Sequence, residues 1–202
     1  EEIIDKAGRA LRENRMDLAD EVLVSDDEVD RNEVQIEEEC LKILALHQPV
    51  AVDLRRVATV IKINSDLERI ADLAVNIAER AKYLINQPDF PIPSKLERLI
   101  DLATTMVRNS LDSFVHLDPK TARRVCGLDD EVDRYNREII EELCQLMREQ
   151  PDLIPAAVHC FSASRHVERI ADHATSIAEN VIYLVEGEIA RHKHDVVHPP
   201  RE

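Results

Sequence analysis

Apolar side chains recur at spacings of three and four over long stretches of this chain, and the pattern stops only at a few prolines and turn residues. From Ser94 to Leu117 the pattern predicts one amphipathic helix. Asp118 and Pro119 then restart the chain as N-cap and first helical residue, and Pro151 separates that second helix from a third reaching about Glu186. In the preceding residues Asn14 to Asp17 and Pro49 punctuate in the same way. Each half therefore reads as three helices. The proline-dense run Asn86-Gln-Pro-Asp-Phe-Pro-Ile-Pro93 joins them, followed by Ser94-Lys-Leu-Glu97, which has the spacing of a capping box. The fold class expected is all-α, two tandem three-helix bundles with six helices, spanning 1–87 and 94–187, with 188–202 as a C-terminal tail.

The two halves are copies. Asp-Asp-Glu-Val-Asp-Arg occurs at 26–31 and again at 129–134, and the twelve residues from Glu68 to Glu79 match those from Glu168 to Glu179 at nine positions. If Leu117 corresponds to Asn14, the opening helix has 24 residues in the second half and 14 in the first. The chain also lacks an initiator Met and begins inside a helical pattern. About ten residues of the first helix are thus expected to lie outside it.

The repeated acids have a geometric consequence. Asp26 and Asp30 are four apart, as are Asp129 and Asp133, Glu68 and Asp72, and Glu168 and Asp172, and residues four apart stack on one helix face. Folding the first half at Pro49 brings Asp26 level with Asp72 and Asp30 level with Glu68. Folding the second between Gln150 and Pro151 brings Asp129 level with Asp172 and Asp133 level with Glu168. Each half should then carry a four-carboxylate patch about 34 Å from its turn. Asn76 and Glu79, with Ser176 and Glu179, continue the oxygen donors along the same side.

Four carboxylates so close must spread, protonate or hold a cation, because two unit charges about 4 Å apart near a protein surface repel by roughly 4 kcal/mol. All-oxygen donors without His or Cys suit Mg²⁺, Mn²⁺, Ca²⁺ or ferric iron. The competing reading makes these acids the solvated stripe of amphipathic helices. Duplication and the coincidence of both midpoints with a proline favour the metal. Arg69 and Arg169 read as ion-pair partners or helix-face charges, and Glu33, Glu37, Glu38 and Glu39 as solvated surface.

Composition narrows the field further. Three glycines and 3% aromatic residues favour helices over strands, and a net charge of −15 without a basic cluster argues against nucleic acid. No apolar run reaches the roughly 20 residues of a membrane span, and no signal peptide is visible. Cys40, Cys126, Cys144 and Cys160 read as small buried thiols in a reducing cytoplasm. Asp53 reads as a first-turn acid opposing the helix dipole, and His192, His194 and His198 as an exposed tail. No nucleophile pair, phosphate loop or HExxH motif is present, so an enzyme is not expected.

The duplicated three-helix unit, the DxxxD and ExxxD motifs, Gln48-Pro-Val-Ala-Val-Asp-Leu-Arg55 and the stretch Leu67 to Glu79 together resemble the PhoU family over nearly the whole chain. That resemblance implies two three-helix bundles carrying multinuclear metal clusters, with iron a frequent occupant. Asp26, Asp30, Glu68 and Asp72 would serve one cluster, and Asp129, Asp133, Glu168 and Asp172 the other. It further implies a cytoplasmic, homodimeric accessory protein that restrains phosphate uptake and starvation signalling by contacting the phosphate transporter's ATPase subunit and a phosphate-sensing histidine kinase. A carboxylate-bridged metalloenzyme and a metal-free helical scaffold are the alternatives. One departure is Ala71 and Ala171 where the family commonly has glycine, a change that favours the helix by up to about 1 kcal/mol.

Overall fold

A computed structural model describes residues 1–187, the side chains of Asp26 and Asp27 excepted. The tail 188–202, with its expectation for His192, His194 and His198, lies outside the described residues. These residues form helices α1 (Glu2–Glu13), α2 (Met16–His47), α3 (Ala51–Ile85), α4 (Ser94–His116), α5 (Pro119–Cys126), α6 (Asp129–Glu149) and α7 (Ile154–Glu186), with a 3-10 turn at Pro151–Leu153 and no strand among the described residues. The chain is all-α, two three-helix units in tandem.

Punctuation follows local chemistry at most joints. Asn14 and Gln48 close α1 and α2 in the left-handed conformation, at φ 52° and 43°. Asp118 caps α5 by accepting the Lys120 N–H at 2.9 Å, with Pro119 as its first residue. Gly187 closes α7 at φ 79°, where a side chain would be strained and would also run into the Arg55 guanidinium.

Two expectations are corrected. The capping box at Ser94 does not form, because Pro93 is the N-cap, Ser94 is already helical and Glu97 instead pairs with Arg12 at 3.1 Å. The second helix of the second half is divided into α5 and α6 by a turn at Gly127 and Leu128, whose backbones stay in the right-handed α region while the i→i+4 bonding gives way to i→i+3. The repeated hexapeptide explains the asymmetry: the residue two places before it is Gly127 in one copy and Val24 in the other, and glycine weakens a helix by about 1 kcal/mol. In the second half DDEVDR therefore opens α6, whereas in the first it lies inside α2.

Helices α3 and α7 pack antiparallel against each other and join the two units. Tyr83 stacks on His159 with ring centroids 3.7 Å apart, Ser176 donates to Asp66 at 3.0 Å, and Gly187 abuts Arg55. These three contacts share one register, which places Ala71 level with Ala171. Both are buried, as are Ala74, Ala78 and Ala81 on α3 and Ala174 and Ala178 on α7. Alanines three and four apart form a smooth stripe that lets long helices lie close, while Ile77, Ile170, Ile177 and Ile182 fill the flanks. The other helices of each unit pack around α3 or α7.

If this seam sets the fold, a bulky side chain at its centre must force the helices apart. Ala171→Leu should cost about 1–3 kcal/mol in urea unfolding, and Ala71→Leu a comparable amount. An unchanged midpoint in both would place the crossing elsewhere.

Candidate metal centre

In the first unit, Asp26 and Asp30 belong to α2, and Glu68 and Asp72 to α3. Asn64 of α3 donates to the Glu33 carbonyl of α2 at 2.8 Å, a bond that sets the register of this hairpin. Burial raises the Glu68 pKa first, and the charge of Asp72 second; Asp30 and Glu33 push the same way, against Arg69. Asp30 of α2 thus faces Glu68 of α3, as folding at Pro49 requires. Arg69 spans the α3 acids, 3.3 Å from both Glu68 Oε2 and Asp72 Oδ2.

The second unit repeats the arrangement with deeper acids. Asp129, half-buried, has its pKa raised by burial and then by Asp172, Asp133 and Asp130. Its place in the first turn of α6 supplies a helix dipole that favours the carboxylate, which moderates that rise. Glu168 exposes only 12% of its side chain; burial raises its pKa, followed by Asp172, and Arg165 at 2.8 Å opposes the rise. Asp172 is raised by partial burial and then by Asp133, although much of its surface stays open to water, which mutes the effect. Asp133 remains exposed and reaches Arg137 at 3.9 Å. The facing pairs Asp129 with Asp172 and Asp133 with Glu168 are those that folding at Pro151 predicts.

Among the described residues, no three His, Cys, Asp or Glu side chains converge in the manner of ready-made metal ligands. The donor chemistry nonetheless fits a hard cation. Glu168 Oε2 is buried without any hydrogen-bond partner, an arrangement that costs about 1–3 kcal/mol or more for a charged oxygen. Asp129, Glu168 and Asp172 have pKa values raised by burial first and by one another's and Asp133's negative charge second. A divalent or trivalent ion would relieve both conditions.

Some donors expected to extend the sets point elsewhere. Asn76 donates its amide to the Asp72 carbonyl at 2.8 Å. Ser176 faces α3, where with His173 Nδ1, at 2.8 Å, it engages Asp66. Asp66 carries no signal in the local spacing and is revealed by the α3–α7 register, and Glu33, expected as solvated surface, lies near Glu68. Glu37, Glu38 and Glu39 are exposed, as expected. The cysteines are free, and burial pushes the Cys126 and Cys160 thiols up to about 12, which keeps them protonated. A cavity of about 840 Å³ between α1, the joining loop and α4 involves none of the eight acids.

The model of the PhoU domain matches residues 1–81 and 96–181, one copy in each unit. The chain belongs to the PhoU family. It is 43% identical over 194 residues to the phosphate-specific transport system accessory protein PhoU homolog of Aquifex aeolicus, covering 96% of this chain and 88% of that protein. The homolog in Deinococcus radiodurans is 40% identical over 187 residues, covering 93% and 88%. Among solved structures, PhoU from Pseudomonas aeruginosa superimposes with a TM-score of 0.89 at 38% identity, covering 92% of this chain and 90% of that one. The phosphate transport system regulatory protein PhoU from Streptococcus pneumoniae gives 0.87 at 28% identity, covering 93% and 88%. No helix among the described residues is long and apolar enough to cross a membrane.

The raised acids make a signed statement about stability. A carboxyl whose folded pKa lies above its unfolded value disfavours the fold while ionised, and the penalty fades as pH falls through the folded value. In chelator-treated protein, Asp129→Asn with Asp172→Asn should therefore raise the melting temperature relative to wild type at neutral pH. That advantage should shrink on acidification and vanish below the ordinary Asp value of 3.8. An advantage independent of pH would assign the gain to something other than relieved repulsion.

Proposed function

We propose that this protein is a non-catalytic, metal-binding regulator of phosphate uptake and phosphate-starvation signalling, working in the cytoplasm as a homodimer. The reading rests on one observation: each PhoU repeat carries facing carboxylates on its last two hairpin helices, in a chain whose relatives are named as accessory proteins of phosphate transport. Asp26, Asp30, Glu68 and Asp72 would hold one multinuclear cluster, and Asp129, Asp133, Glu168 and Asp172 the other. Iron is the proposed occupant, with Mg²⁺, Mn²⁺ and Ca²⁺ as hard-ion alternatives. The ions would neutralise each patch and tie neighbouring helices together, so that the surface presented to partners depends on occupancy. Those partners are proposed to be the transporter's ATPase subunit and the phosphate-sensing histidine kinase.

The two acid sets are independent, so they should be separable. Elemental analysis of untagged protein purified without chelator should find metal, and Glu68→Ala with Asp72→Ala should lower the content by about half. In the wild type, added metal at a hundredfold excess over Kd should stabilise by about 2.7 kcal/mol. Unchanged metal content in the double variant would sink the assignment.

For the regulatory role, deletion should leave phosphate-starvation genes expressed in phosphate-rich medium, and capture from native cells should recover the ATPase subunit or the kinase. A normal starvation response together with failure to recover either partner would refute it.

A further inference from the structure

The duplication makes the two rims of the α3–α7 seam comparable residue by residue. On the first rim Asp66 of α3 supplies an internal anion, which holds His173 Nδ1 at 2.8 Å and the Ser176 hydroxyl at 3.0 Å. Beside it Arg55 and Lys62 rest their charges over the Tyr183 ring, 5.8 and 5.6 Å from its centroid.

An offset of 100 residues carries Asp66 to His166, Thr59 to His159, Lys62 to Ser162 and, across the seam, Asn180 to Arg80 and Tyr183 to Tyr83. The second rim has therefore lost the carboxylate and gained an arginine and two imidazoles. His159, Ser162 and His166 are spaced to lie on one face of α7. His159 stacks on Tyr83, and the Ser162 hydroxyl lies 3.2 Å from His166 Nε2. Arg80 Nε, His159 Nδ1 and His166 Nδ1 are all buried without a hydrogen-bond partner. The acid nearby is Glu79, exposed and 3.6 Å from Arg80 Nη2.

Three orphaned nitrogens within about two helical turns of one seam are costly, and each would be satisfied by an oxygen acceptor. In the α3–α7 register Arg80 lies level with Ser162, so its guanidinium brings a positive charge to this rim, where the counterpart holds Asp66. We propose that this rim is a binding site for free orthophosphate, with Arg80, His159 and His166 as its donors and the Ser162 hydroxyl donating to His166 Nε2 so that Nδ1 carries the imidazole proton. The site is distinct from the acid sets, and a tetrahedral anion there takes the part that Asp66 plays on the other rim. The three donor nitrogens lie below the surface, out of reach of a macromolecular partner and open only to a small anion. The identification of that anion as orthophosphate rests on the regulatory reading above.

Equilibrium dialysis of radiolabelled orthophosphate against full-length, chelator-treated protein should show one saturable site. Arg80→Asn and His166→Asp install the residues found at the equivalent positions Asn180 and Asp66, which the fold already accommodates. Each should weaken binding by about tenfold or more, the size expected for losing a charge-assisted hydrogen bond or facing a new like charge. His159→Thr, matching Thr59, is a third variant should either of the first fail to fold, and side-chain ¹⁵N resonances of His159 and His166 should shift on adding phosphate. Absence of saturable binding to the wild type would overturn the site, as would equal binding by the folded variants. Loss of binding in Glu168→Gln with Asp172→Asn, and not in Arg80→Asn, would move the anion to the acid set and overturn it as well. The starvation response of the deletion strain reads the regulatory role separately, so failure of the site leaves that test standing.

Discussion

Close packing of α3 against α7 is the constraint from which the other features follow. These two helices are the longest stretch of mutual burial between the repeats, and their alanine-lined faces leave little room for any other register. Once that register is set, every residue of the duplicated ERIAD stretch has a fixed counterpart across the seam. Ala71 meets the level of Ala171, and the acids at 68, 72, 168 and 172 are turned outward toward the preceding helix of their own repeat. The same rotation that buries alanine at positions 71, 74 and 78 presents a carboxylate at 68 and 72, because a helix with one apolar stripe has only the remaining arc for its charged residues.

This geometry sets a conflict between packing and electrostatics. The hairpins place the DxxxD and ExxxD acids level with each other, and burial at Glu68, Asp129 and Glu168 strips away part of the water that would otherwise screen them. The first unit softens the conflict with Arg69, which reaches both acids of α3. In the second unit Arg165 serves Glu168 Oε1 and leaves Oε2 with no partner. The second set is thus the more strained of the two, and the stronger demand for a cation lies there. Its position at the start of α6, created by Gly127, adds the field of a helix N-terminus to the same acids.

The copies have diverged where the seam meets solvent. One rim ties His173 and Ser176 to the Asp66 carboxylate, while the other sets Arg80 beside His159 and His166. A duplicated fold retains its core alanines because both copies share one packing problem. Its rims are free to differ because each side chain there answers only to local partners and to water.

Much of this was legible in the sequence because helices are written with a local period. The breaks at Asn14, Pro49, Asp118 and Pro151, the internal duplication and the level pairing of Asp30 with Glu68 and of Asp129 with Asp172 all follow from spacing and from the position of one turn. The missed break at Gly127 was present as a composition difference between the copies, but one glycine in a long helix weakens it without dictating where it ends. The capping box failed because Pro93 took the cap and Arg12, a residue distant in sequence, claimed Glu97. What only the tertiary structure decided is the relation between the two repeats: that α3 and α7 form the seam, that Ser176 and His173 belong to Asp66, and that Arg80 lies beside His159 and His166. No local period encodes which helix of one repeat will meet which helix of the other. That choice belongs to the burial of two alanine stripes about a hundred residues apart, and it exists only once both helices are formed and in contact.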